Sequence, residues 1–415
     1  MMTRLERPLR IALFAEAVTL AHVARPIALA RAIAPAGHQL LLACDPRYSS
    51  FAADGPWQSQ PLRSIPSAEF NEALAKGKPV YSHETLSSYV NDDLKLIESF
   101  KPDLVIGDFR LSLSVSARLA RVPYMAIANA YWSPGYLGGY ALPVIPLSRV
   151  LPIPLAATLF HTFRPLAFIP HCQPMNRLRR QHNLPSLGNN LRRVYTDADH
   201  ILMPDIPDLY PVASGSHGSS YIGPLMWAPS TPPPAWWEEP DPTEQAIVYV
   251  TLGSSGPGAT LALVLQALAD LPVKVFASTA GAQAPSSVPA NARLASYLPG
   301  DAAAERAKLM ICNGGSLSTQ QAIAAGIPIL GLASNMDQFL NMAPIERHNA
   351  GICLRTDRLS PERIRQAAIT LLQSAVATTA ARQLRQLLPK PEAGTRETFH
   401  AIAKQLLQDS RSNSH

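Results

Sequence analysis

Short apolar runs alternate with helical patterns from the start of the chain. After the first run, apolar residues recur at helical spacing until Gly37, which predicts one strand followed by one helix. A further helix is predicted over Leu113–Arg121. The runs that predict strands in this half are Arg10–Phe14, His38–Cys44, Asp103–Gly107 and Tyr124–Ala128. Such an alternation is typical of a parallel sheet that is covered on both faces.

The alternation of predicted strands and helices stops in the middle of the chain and then resumes. Residues 132–190 are rich in Pro, Leu and aromatic side chains, which predicts surface loop and short helix. Pro229–Gln245 holds six prolines and predicts a stiff, exposed linker. Strands follow over Ile247–Thr251, Val273–Ala277, Arg293–Tyr297, Lys308–Cys312 and Ile327–Leu332, and Thr395–Leu407 predicts an amphipathic helix. Two doubly wound α/β domains that face each other would place a ligand cleft between the carboxyl ends of their strands.

The predicted domain boundaries follow from these breaks. We expect an N-terminal domain over residues 1–228, the linker over 229–245 and a C-terminal domain over 246–390. Residues 391–415 are expected to form a helix and polar tail that pack back toward the N-terminal domain.

Composition narrows the class of protein. The 415 residues are 47% hydrophobic and 16% charged, which is globular rather than disordered. The net charge of +6, without a run of five basic residues, favours anionic small molecules or a membrane surface over nucleic acid. The four cysteines show no metal-type spacing, and we expect structural thiols in a reducing, cytoplasmic setting. No apolar run is long enough to span a membrane, and Glu16 argues against a signal peptide.

The most informative segment is residues 311–341, ICNGGSLSTQQAIAAGIPILGLASNMDQFLN. Gly314 and Gly315 follow a predicted strand and let the backbone turn sharply beside a ligand. Ser318 and Gln321 have capping-box spacing, which predicts a helix N-terminus. The N–H groups and dipole of such a terminus suit a phosphate. A strand, a glycine pair and a helix also occur for purely structural reasons, so this pattern alone leaves both interpretations open.

The segment as a whole resembles the donor-binding signature of the family 1 glycosyltransferases, whose fold is called GT-B. That signature is His-Gly-Gly, a small-residue loop, Ser or Thr, a helical Glu, Gly-x-Pro, and later Asp-Gln followed by Asn. The residues at matching places are Gly314, Gly315, Ser318, Gly326, Pro328, Asp337, Gln338 and Asn341, and Ser316 lies in the small-residue loop. The resemblance implies two Rossmann-like domains, of which the second binds a nucleotide sugar.

Two positions depart from the signature. Asn313 stands where the family has the His that contacts the diphosphate, and Gln321 stands where it has the Glu that holds the ribose hydroxyls. An Asn cannot carry positive charge, and a Gln is a weaker acceptor than a carboxylate. We therefore expect weaker donor binding, a different nucleotide preference, or a chain that has lost activity.

Two further features resemble the donor side of the family. The sequence Thr-Leu-Gly-Ser-Ser-Gly after a predicted strand is similar to the loop near the donor phosphates and implies roles for Gly253 and Ser254. Tyr297, in Tyr-Leu-Pro-Gly, stands where relatives have an aromatic residue, which implies stacking on the nucleobase. A tyrosine that ends a buried strand would give the same pattern.

The first domain carries a candidate acid–base pair. His22, in the sequence Ala-His-Val-Ala-Arg-Pro, resembles the catalytic base of the family's Gly-His-x-x-Pro stretch, although Ala21 replaces the Gly and Pro26 falls one place later. The same resemblance implies that Asp108 orients that base. A hydroxyl becomes a good nucleophile only as its proton leaves, and His is the side chain best suited to take it near neutral pH. A helical His and a helix-capping Asp are the structural alternatives.

The apolar segment after residue 130 is expected to bind the acceptor. Trp132, Tyr136 and Tyr140 would line a pocket for a hydrophobic, lipid-like acceptor, unless they only pack the domain. The basic balance and this apolar segment are also compatible with peripheral membrane contact.

The sequence thus predicts an inverting glycosyltransferase that uses a UDP- or dTDP-sugar and a hydrophobic hydroxyl-bearing acceptor. The nucleotide sugar is a co-substrate, and no metal or other cofactor is predicted. The alternatives are a non-catalytic GT-B relative that acts as a binding protein, which Asn313 and Gln321 favour, and a nucleotide-sugar epimerase. A Rossmann dehydrogenase is disfavoured because no Gly-x-Gly-x-x-Gly follows the first strand.

Overall fold

The structure is a computed structural model that describes residues 7–214, 218–238, 244–253, 258–389 and 393–412. Its strands are β1 Arg10–Ala15, β2 Gln39–Cys44, β3 Gln58–Pro61, β4 Leu104–Asp108, β5 Tyr124–Ile127, β6 His200–Met203, β7 Ser219–Tyr221, β8 Ala246–Thr251, β9 Val273–Ser278, β10 Ala292–Ala295, β11 Leu309–Cys312, β12 Ile329–Ala333 and β13 Gly351–Arg355.

The helices lie between these strands and after the last of them. They are α1 Ala21–Ile33, α2 Ser49–Ala52, α3 Ser67–Lys76, α4 His83–Phe100, α5 Leu113–Ala120, α6 Pro146–Val150, α7 Ile153–Ala167, α8 Ile169–Gln181, α9 Leu191–Thr196, α10 Gly258–Leu268, α11 Gly300–Arg306, α12 Ser316–Ala325, α13 Met336–Arg347, α14 Pro361–Gln373, α15 Ala375–Gln386 and α16 Ala393–Ser412.

The chain divides into two compact units. Unit 1 comprises residues 1–139, 159–225 and 389–415, and unit 2 comprises residues 140–158 and 226–388. Residues 140–158 therefore group with unit 2, although they precede most of it in the sequence. The terminal helix α16 belongs to unit 1, where it packs on α1 and buries Phe399 and Ala403.

Unit 1 is built on a seven-stranded sheet in the order β3-β2-β1-β4-β5-β6-β7, and its strand pairs are parallel. Strand β1 is buried from Ile11 onward because helices cover both faces of such a sheet, so these residues are continuously apolar rather than alternating. In this register Ala15 of β1 is opposite Asp108 of β4. The order of the strands reverses between β1 and β4, and ligands of open α/β sheets bind at such a point.

Unit 2 repeats the plan with a six-stranded parallel sheet in the order β10-β9-β8-β11-β12-β13. Its core lies between the sheet and helices α10 and α14, and includes Val250, Ile311 and Leu330, which are fully buried. The strand order reverses between β8 and β11. The predicted class, two doubly wound α/β domains, is confirmed.

The middle of the chain is more helical than predicted. Helices α7 and α8 span 15 and 13 residues of the segment expected to be surface loop and short helix. Prolines at the first turns and within these helices hid the helical pattern in the sequence. Both helices contain an internal proline, Pro165 and Pro174, which a sequence-based reading takes as a stop.

The predicted linker is partly packed. Ala235–Glu238 form a 3-10 turn, and Trp237 is buried beside Phe276, with the Arg306 guanidinium 4.6 Å from its ring. The expectation of an exposed connector was therefore wrong at Trp237, because a large apolar ring gains free energy when it is buried against another aromatic ring. Residues 239–243 of this stretch lie outside the described residues.

The four cysteines are free, and three of them are buried. Burial raises the pKa of Cys44 and Cys312 to about 12 and that of Cys172 to about 11, so these thiols stay protonated. No helix among the described residues has the length and apolar character needed to cross a bilayer.

Candidate functional site

His22 and Asp108 meet at the point where the strand order of unit 1 reverses. Asp108 is the last residue of β4 and is fully buried, and His22 lies in the first turn of α1, which follows β1. His22 Nδ1 is 2.7 Å from Asp108 Oδ1, and the imidazole is partly exposed, with 18% of its side-chain surface accessible. One nitrogen of the imidazole thus contacts a buried carboxylate, and part of the ring is accessible to solvent.

Arg25 completes this cluster, one helical turn after His22. Its Nε and Nη2 both donate to Asp108, each at 2.7 Å, in a bidentate ion pair. Its Nη1 donates to Asn129 Oδ1 at 2.6 Å, and Asn129 donates to Asp205 Oδ1 at 2.9 Å. The Asp108 carboxylate is therefore oriented by a guanidinium as well as by the imidazole.

The tautomer of His22 follows from its neighbours. Arg25 Nη2 carries two hydrogens; it donates one to Asp108 Oδ1 at 2.7 Å and lies 2.9 Å from His22 Nδ1. An ionised carboxylate only accepts, so the 2.7 Å contact between Nδ1 and Asp108 Oδ1 requires a hydrogen on Nδ1. When Nδ1 carries the hydrogen and donates to Asp108, Nε2 is left as the acceptor of a proton.

Phe109 covers one face of the imidazole. Its ring is stacked on His22 with centroids 4.9 Å apart and an interplanar angle of 17°. Its φ of 56° is in the left-handed region, which a phenylalanine rarely adopts. Tyr81 and Tyr195 contact the same ring. The strained backbone after β4 thus directs Phe109 onto the histidine.

A buried ionic network lies beside this cluster. Arg110 is fully buried; its Nη1 donates to Glu16 at 2.7 Å and its Nε donates to Asp93 at 2.9 Å. Burial raises the pKa of both carboxyls, and Arg110 opposes that rise. Glu16 N–H also donates to the backbone oxygen of Asp108, so the network fixes the ends of β1 and β4 against each other.

The three predicted acceptor residues are not all in one unit. Trp132 is half-buried and contacts Tyr195 at 5.1 Å, and Tyr136 is buried beneath the Arg192 guanidinium at 5.2 Å. These two residues belong to unit 1, whereas Tyr140 belongs to unit 2.

In unit 2, Gly253 and Asn313 meet where the strand order reverses. Gly253 follows β8 with φ 65°, and a Cβ added there would lie 3.1 Å from Asn313 Nδ2. Asn313 Oδ1 accepts the Gly315 N–H at 3.0 Å, which forms a tight turn after β11. Gly314 has φ 80°, so the turn needs glycine. Ser254 lies outside the described residues.

Helix α12 begins three residues earlier than the capping-box spacing predicted. Gly315 is its N-cap, without a side-chain cap, and Ser316 is its first residue, so Ser318 lies inside the first turn. The first intrahelical bond runs from Thr319 N–H to Gly315 C=O, and the N–H groups of Ser316 and Ser318 precede it. The predicted box at Ser318 and Gln321 was wrong because the glycine pair already turns the chain into the helix.

Gln321 has partners that the sequence did not indicate. It is buried, its Nε2 donates to the backbone oxygen of Trp227 at 3.1 Å, and its side chain hydrogen-bonds the Asp301 carboxylate. Desolvation raises the pKa of Asp301, and the bond to Gln321 opposes that shift. A Cβ at Gly300 would lie 2.7 Å from Gln321 Nε2, so the start of α11 approaches Gln321 closely.

The Asp-Gln pair begins helix α13. The true capping box is here, between Asn335 and Gln338, and Gln338 Oε1 also accepts the Ser334 N–H at 2.8 Å. Asp337 is half-exposed in the first turn. Asn341 Nδ2 donates to Gly314 O and to Thr319 Oγ1, both at 2.8 Å, which ties α13 to the glycine turn.

Tyr297 lies after β10, in the connection to α11, rather than at the end of a strand. Its hydroxyl donates to the backbone oxygen of Ala280 at 3.3 Å, and its ring is half-buried. Ala280 and Gly281 both have positive φ. The ring is thus held against the loop that follows β9, at the same edge of the sheet as Gly253.

Sequence reasoning missed Arg25, Phe109, Asn129 and Asp301. Arg25 could have been found, because residues three apart share one face of a helix. The others are brought to the site by the register of separate strands and turns. Among the described residues, no group of three His, Cys, Asp or Glu side chains is placed to hold a metal ion.

Several known proteins are similar to this chain. The family described as erythromycin biosynthesis protein CIII-like, C-terminal domain, matches residues 262–396. A PGL/p-HBAD biosynthesis glycosyltransferase of Mycobacterium tuberculosis is 47% identical over 385 residues, which cover 93% of this chain and 90% of the relative. A PGL/p-HBAD biosynthesis rhamnosyltransferase of Mycobacterium bovis is 46% identical over 385 residues, 93% of this chain and 85% of the relative.

Two further matches bear on activity and fold. An inactive PGL/p-HBAD biosynthesis glycosyltransferase of Mycobacterium bovis is 44% identical over 259 residues, 62% of this chain and 70% of the relative. Among solved structures, a spinosyn rhamnosyltransferase complexed with thymidine diphosphate superposes with a TM-score of 0.65 at 20% identity, covering 93% of this chain and 98% of that one.

Proposed function

This chain belongs to the macrolide-type family 1 glycosyltransferases of GT-B fold, and from that premise we propose that it transfers a sugar from a UDP- or dTDP-sugar to a hydroxyl of a hydrophobic acceptor, with inversion. The observation that carries the proposal is the 2.7 Å contact between His22 and the buried carboxylate of Asp108 at the strand reversal of unit 1. Relatives named for PGL/p-HBAD biosynthesis support a natural-product acceptor.

In the proposed mechanism, His22 Nε2 takes the proton of the acceptor hydroxyl during attack. The oxygen forms a bond to the anomeric carbon, the bond from that carbon to the diphosphate breaks, and the nucleoside diphosphate leaves. Asp108, held by Arg25, stabilises the imidazolium and keeps Nδ1 protonated. Attack from the face opposite the leaving group gives inversion.

The donor would bind unit 2 through backbone groups. The N–H groups of Ser316 and Ser318, with Asn313 Nδ2, suit the diphosphate, because the first turn of α12 presents donors and the positive end of its dipole. The turn at Gly314 and Gly315 leaves room for the phosphates to approach the backbone. Tyr297 would stack on the base, Gly253 and Ser254 would border the phosphates, and Asp337 and Gln338 would hold the sugar hydroxyls.

Asp301 supplies a carboxylate near position 321, where the family has Glu and this chain has Gln. We propose that the Asp301 carboxylate, hydrogen-bonded to the Gln321 amide, accepts hydrogen bonds from the ribose hydroxyls in place of the family's Glu. A carboxylate and an amide side by side provide both an acceptor and a donor for two neighbouring hydroxyls. No metal or other cofactor enters this proposal.

A second candidate is a non-catalytic relative that binds a nucleotide sugar without transfer. The observations that favour it are Asn313, Gln321 and the existence of a relative named as inactive. The His22–Asp108 contact favours transfer, since a protein that only binds has no need of an oriented base.

Calorimetric titration with UDP, dTDP, GDP and UDP-glucose tests the donor site first. We expect one uracil or thymine nucleotide to bind more tightly than GDP. Nucleotide release from the preferred sugar donor is then measured with a panel of hydrophobic phenols and alcohols. His22→Ala should lower turnover by about a hundredfold or more while leaving nucleotide affinity unchanged.

The matched control is His348→Ala, which removes an exposed histidine from the end of α13. Wild-type turnover in His22→Ala would refute the assignment of the base. Nucleotide binding without transfer to any acceptor would support the non-catalytic candidate, and new sugar nucleotides formed without an acceptor would support an epimerase.

A further inference from the structure

One long stretch of the chain has no acidic residue. Between Asp108 and Asp197 there are ten arginines and neither Asp nor Glu. Since the whole chain carries +6, the rest of it carries a net negative charge. Of these arginines, Arg110, Arg179 and Arg192 are buried, whereas Arg180 and Arg193 are among those exposed to solvent. The positive charge of the protein is thus concentrated in one part of its sequence.

Helix α7 lies in this stretch and exposes apolar side chains. Leu155, Phe163 and Leu166 are 48%, 55% and 65% exposed. At about 100° per residue, these three positions and Leu159 lie within roughly 80° of one another around the helix axis. Ala156 and Phe160 are the residues by which the helix packs. We call Leu155, Leu159, Phe163 and Leu166 the α7 stripe.

The polar residues of α7 are basic or uncharged. His161 and Arg164 are the titratable residues of the helix, and none is acidic. A helix with an apolar stripe, basic flanks and too little length to span a bilayer has the character of a segment that lies in a membrane interface. Basic residues nearby add attraction to anionic headgroups.

We propose that the α7 stripe docks the protein on an anionic lipid surface, with Phe163 and Leu166 entering the headgroup region and the exposed arginines of this stretch attracted to lipid phosphates. Charge complementarity selects this occupant, because an interface with a second copy of the chain would bring two positive stretches together. The docking surface goes beyond the proposed transfer and does not depend on it.

Vesicle flotation of the full chain tests the proposal. Vesicles of phosphatidylcholine alone are compared with vesicles that contain roughly a third phosphatidylglycerol. We expect binding to the anionic vesicles, weaker binding at high salt because the charges are screened, and little binding to the neutral vesicles.

The variant Leu166→Gln isolates the apolar contribution, and Phe163→Gln/Leu166→Gln extends it. The double variant should lower the partition coefficient about tenfold or more, because two apolar side chains no longer enter the bilayer. Val376→Gln is the matched control: Val376 is also 65% exposed, on helix α15 of unit 2, whereas Phe163 and Leu166 belong to unit 1, and its replacement should leave binding unchanged.

Two results would overturn the proposal. Equal binding of wild type and the double variant to anionic vesicles would show that the stripe is not the contact. Concentration-dependent dimers that the double variant abolishes, without vesicle binding by wild type, would show that a second copy covers the stripe. Thermal melting and nucleotide titration of each variant separate loss of docking from loss of folding or of the donor site.

Discussion

Replacing Gln321 by Glu restores the residue that the donor signature of the family has, yet the structure predicts that the change harms this protein. Gln321 is 6% exposed and its Nε2 donates to the backbone oxygen of Trp227. A Glu cannot donate there when ionised, so Trp227 O loses its partner and faces a second oxygen. The new carboxylate would also lie beside that of Asp301.

The cost can be worked from these contacts. A buried carbonyl left without its hydrogen bond costs about 1–3 kcal/mol. The repulsion between two carboxylates adds roughly 1 kcal/mol at most, since water screens the exposed side of Asp301. A total of about 1–4 kcal/mol in a unit of this size lowers the melting temperature by roughly 2–16 °C. We also expect nucleotide affinity to fall, since the Asp301 carboxylate would be displaced.

Differential scanning calorimetry and nucleotide titration of Gln321→Glu measure both effects. Asp301→Asn/Gln321→Glu is the matched variant, because it exchanges the carboxylate and the amide and leaves one charge at the site. The double variant should recover part of the lost stability and affinity, and the coupling in this cycle measures the Asp301–Gln321 interaction. A Gln321→Glu protein that is more stable or binds nucleotide more tightly would refute the reasoning.

Three further predictions concern unit 1. Arg25→Leu leaves the buried Asp108 carboxylate with His22 alone, so the free energy of unfolding should fall by about 3 kcal/mol and turnover should also fall. Denaturant melts measure the free energy of unfolding, and an unchanged melt would contradict the ion pair. Arg110→Met leaves Glu16 and Asp93 buried without their cation and should cost about 3–5 kcal/mol, with recovery in Glu16→Gln/Asp93→Asn/Arg110→Met. His38 Nδ1 accepts the Leu9 N–H, so His38 Nε2 donates to His400 Nε2 at 3.0 Å and both rings are neutral. Burial lowers the pKa of His38 to about 4 and also lowers the pKa of His400, so the unfolded chain takes up protons first as the pH falls, and stability should drop by roughly 1–2 kcal/mol between pH 6.5 and 4.5. Chemical denaturation across this range should show a smaller drop in His400→Gln, and an equal drop would contradict the assignment.

Most strands of the two sheets could be predicted because the apolar pattern that marks a buried strand lies within a short segment of the sequence. Parallel strands buried on both faces must be continuously apolar, and such runs are visible in the sequence; β1, β2, β4, β5, β8, β9, β11 and β12 begin within two residues of the predicted positions. Strands β3, β6, β7 and β13 were missed. β3 and β7 are short and exposed or half-exposed, so no apolar run marks them, and β6 is only four residues long. Helices α7 and α8 were missed because proline is usually a stop signal.

The sequence by itself determined the fold class, the family and the residue types that such chemistry requires, because hydrophobic period and a signature of glycines and polar residues are properties of short segments. Which groups meet was decided by the tertiary structure. Register places Asp108 opposite Ala15, helical spacing adds Arg25 to His22, and the turn before α11 brings Asp301 to Gln321. Asp301 and Gln321 are 20 positions apart in the sequence, and Arg25 and Asp108 are 83 positions apart. Only folding brings such distant residues within hydrogen-bonding distance.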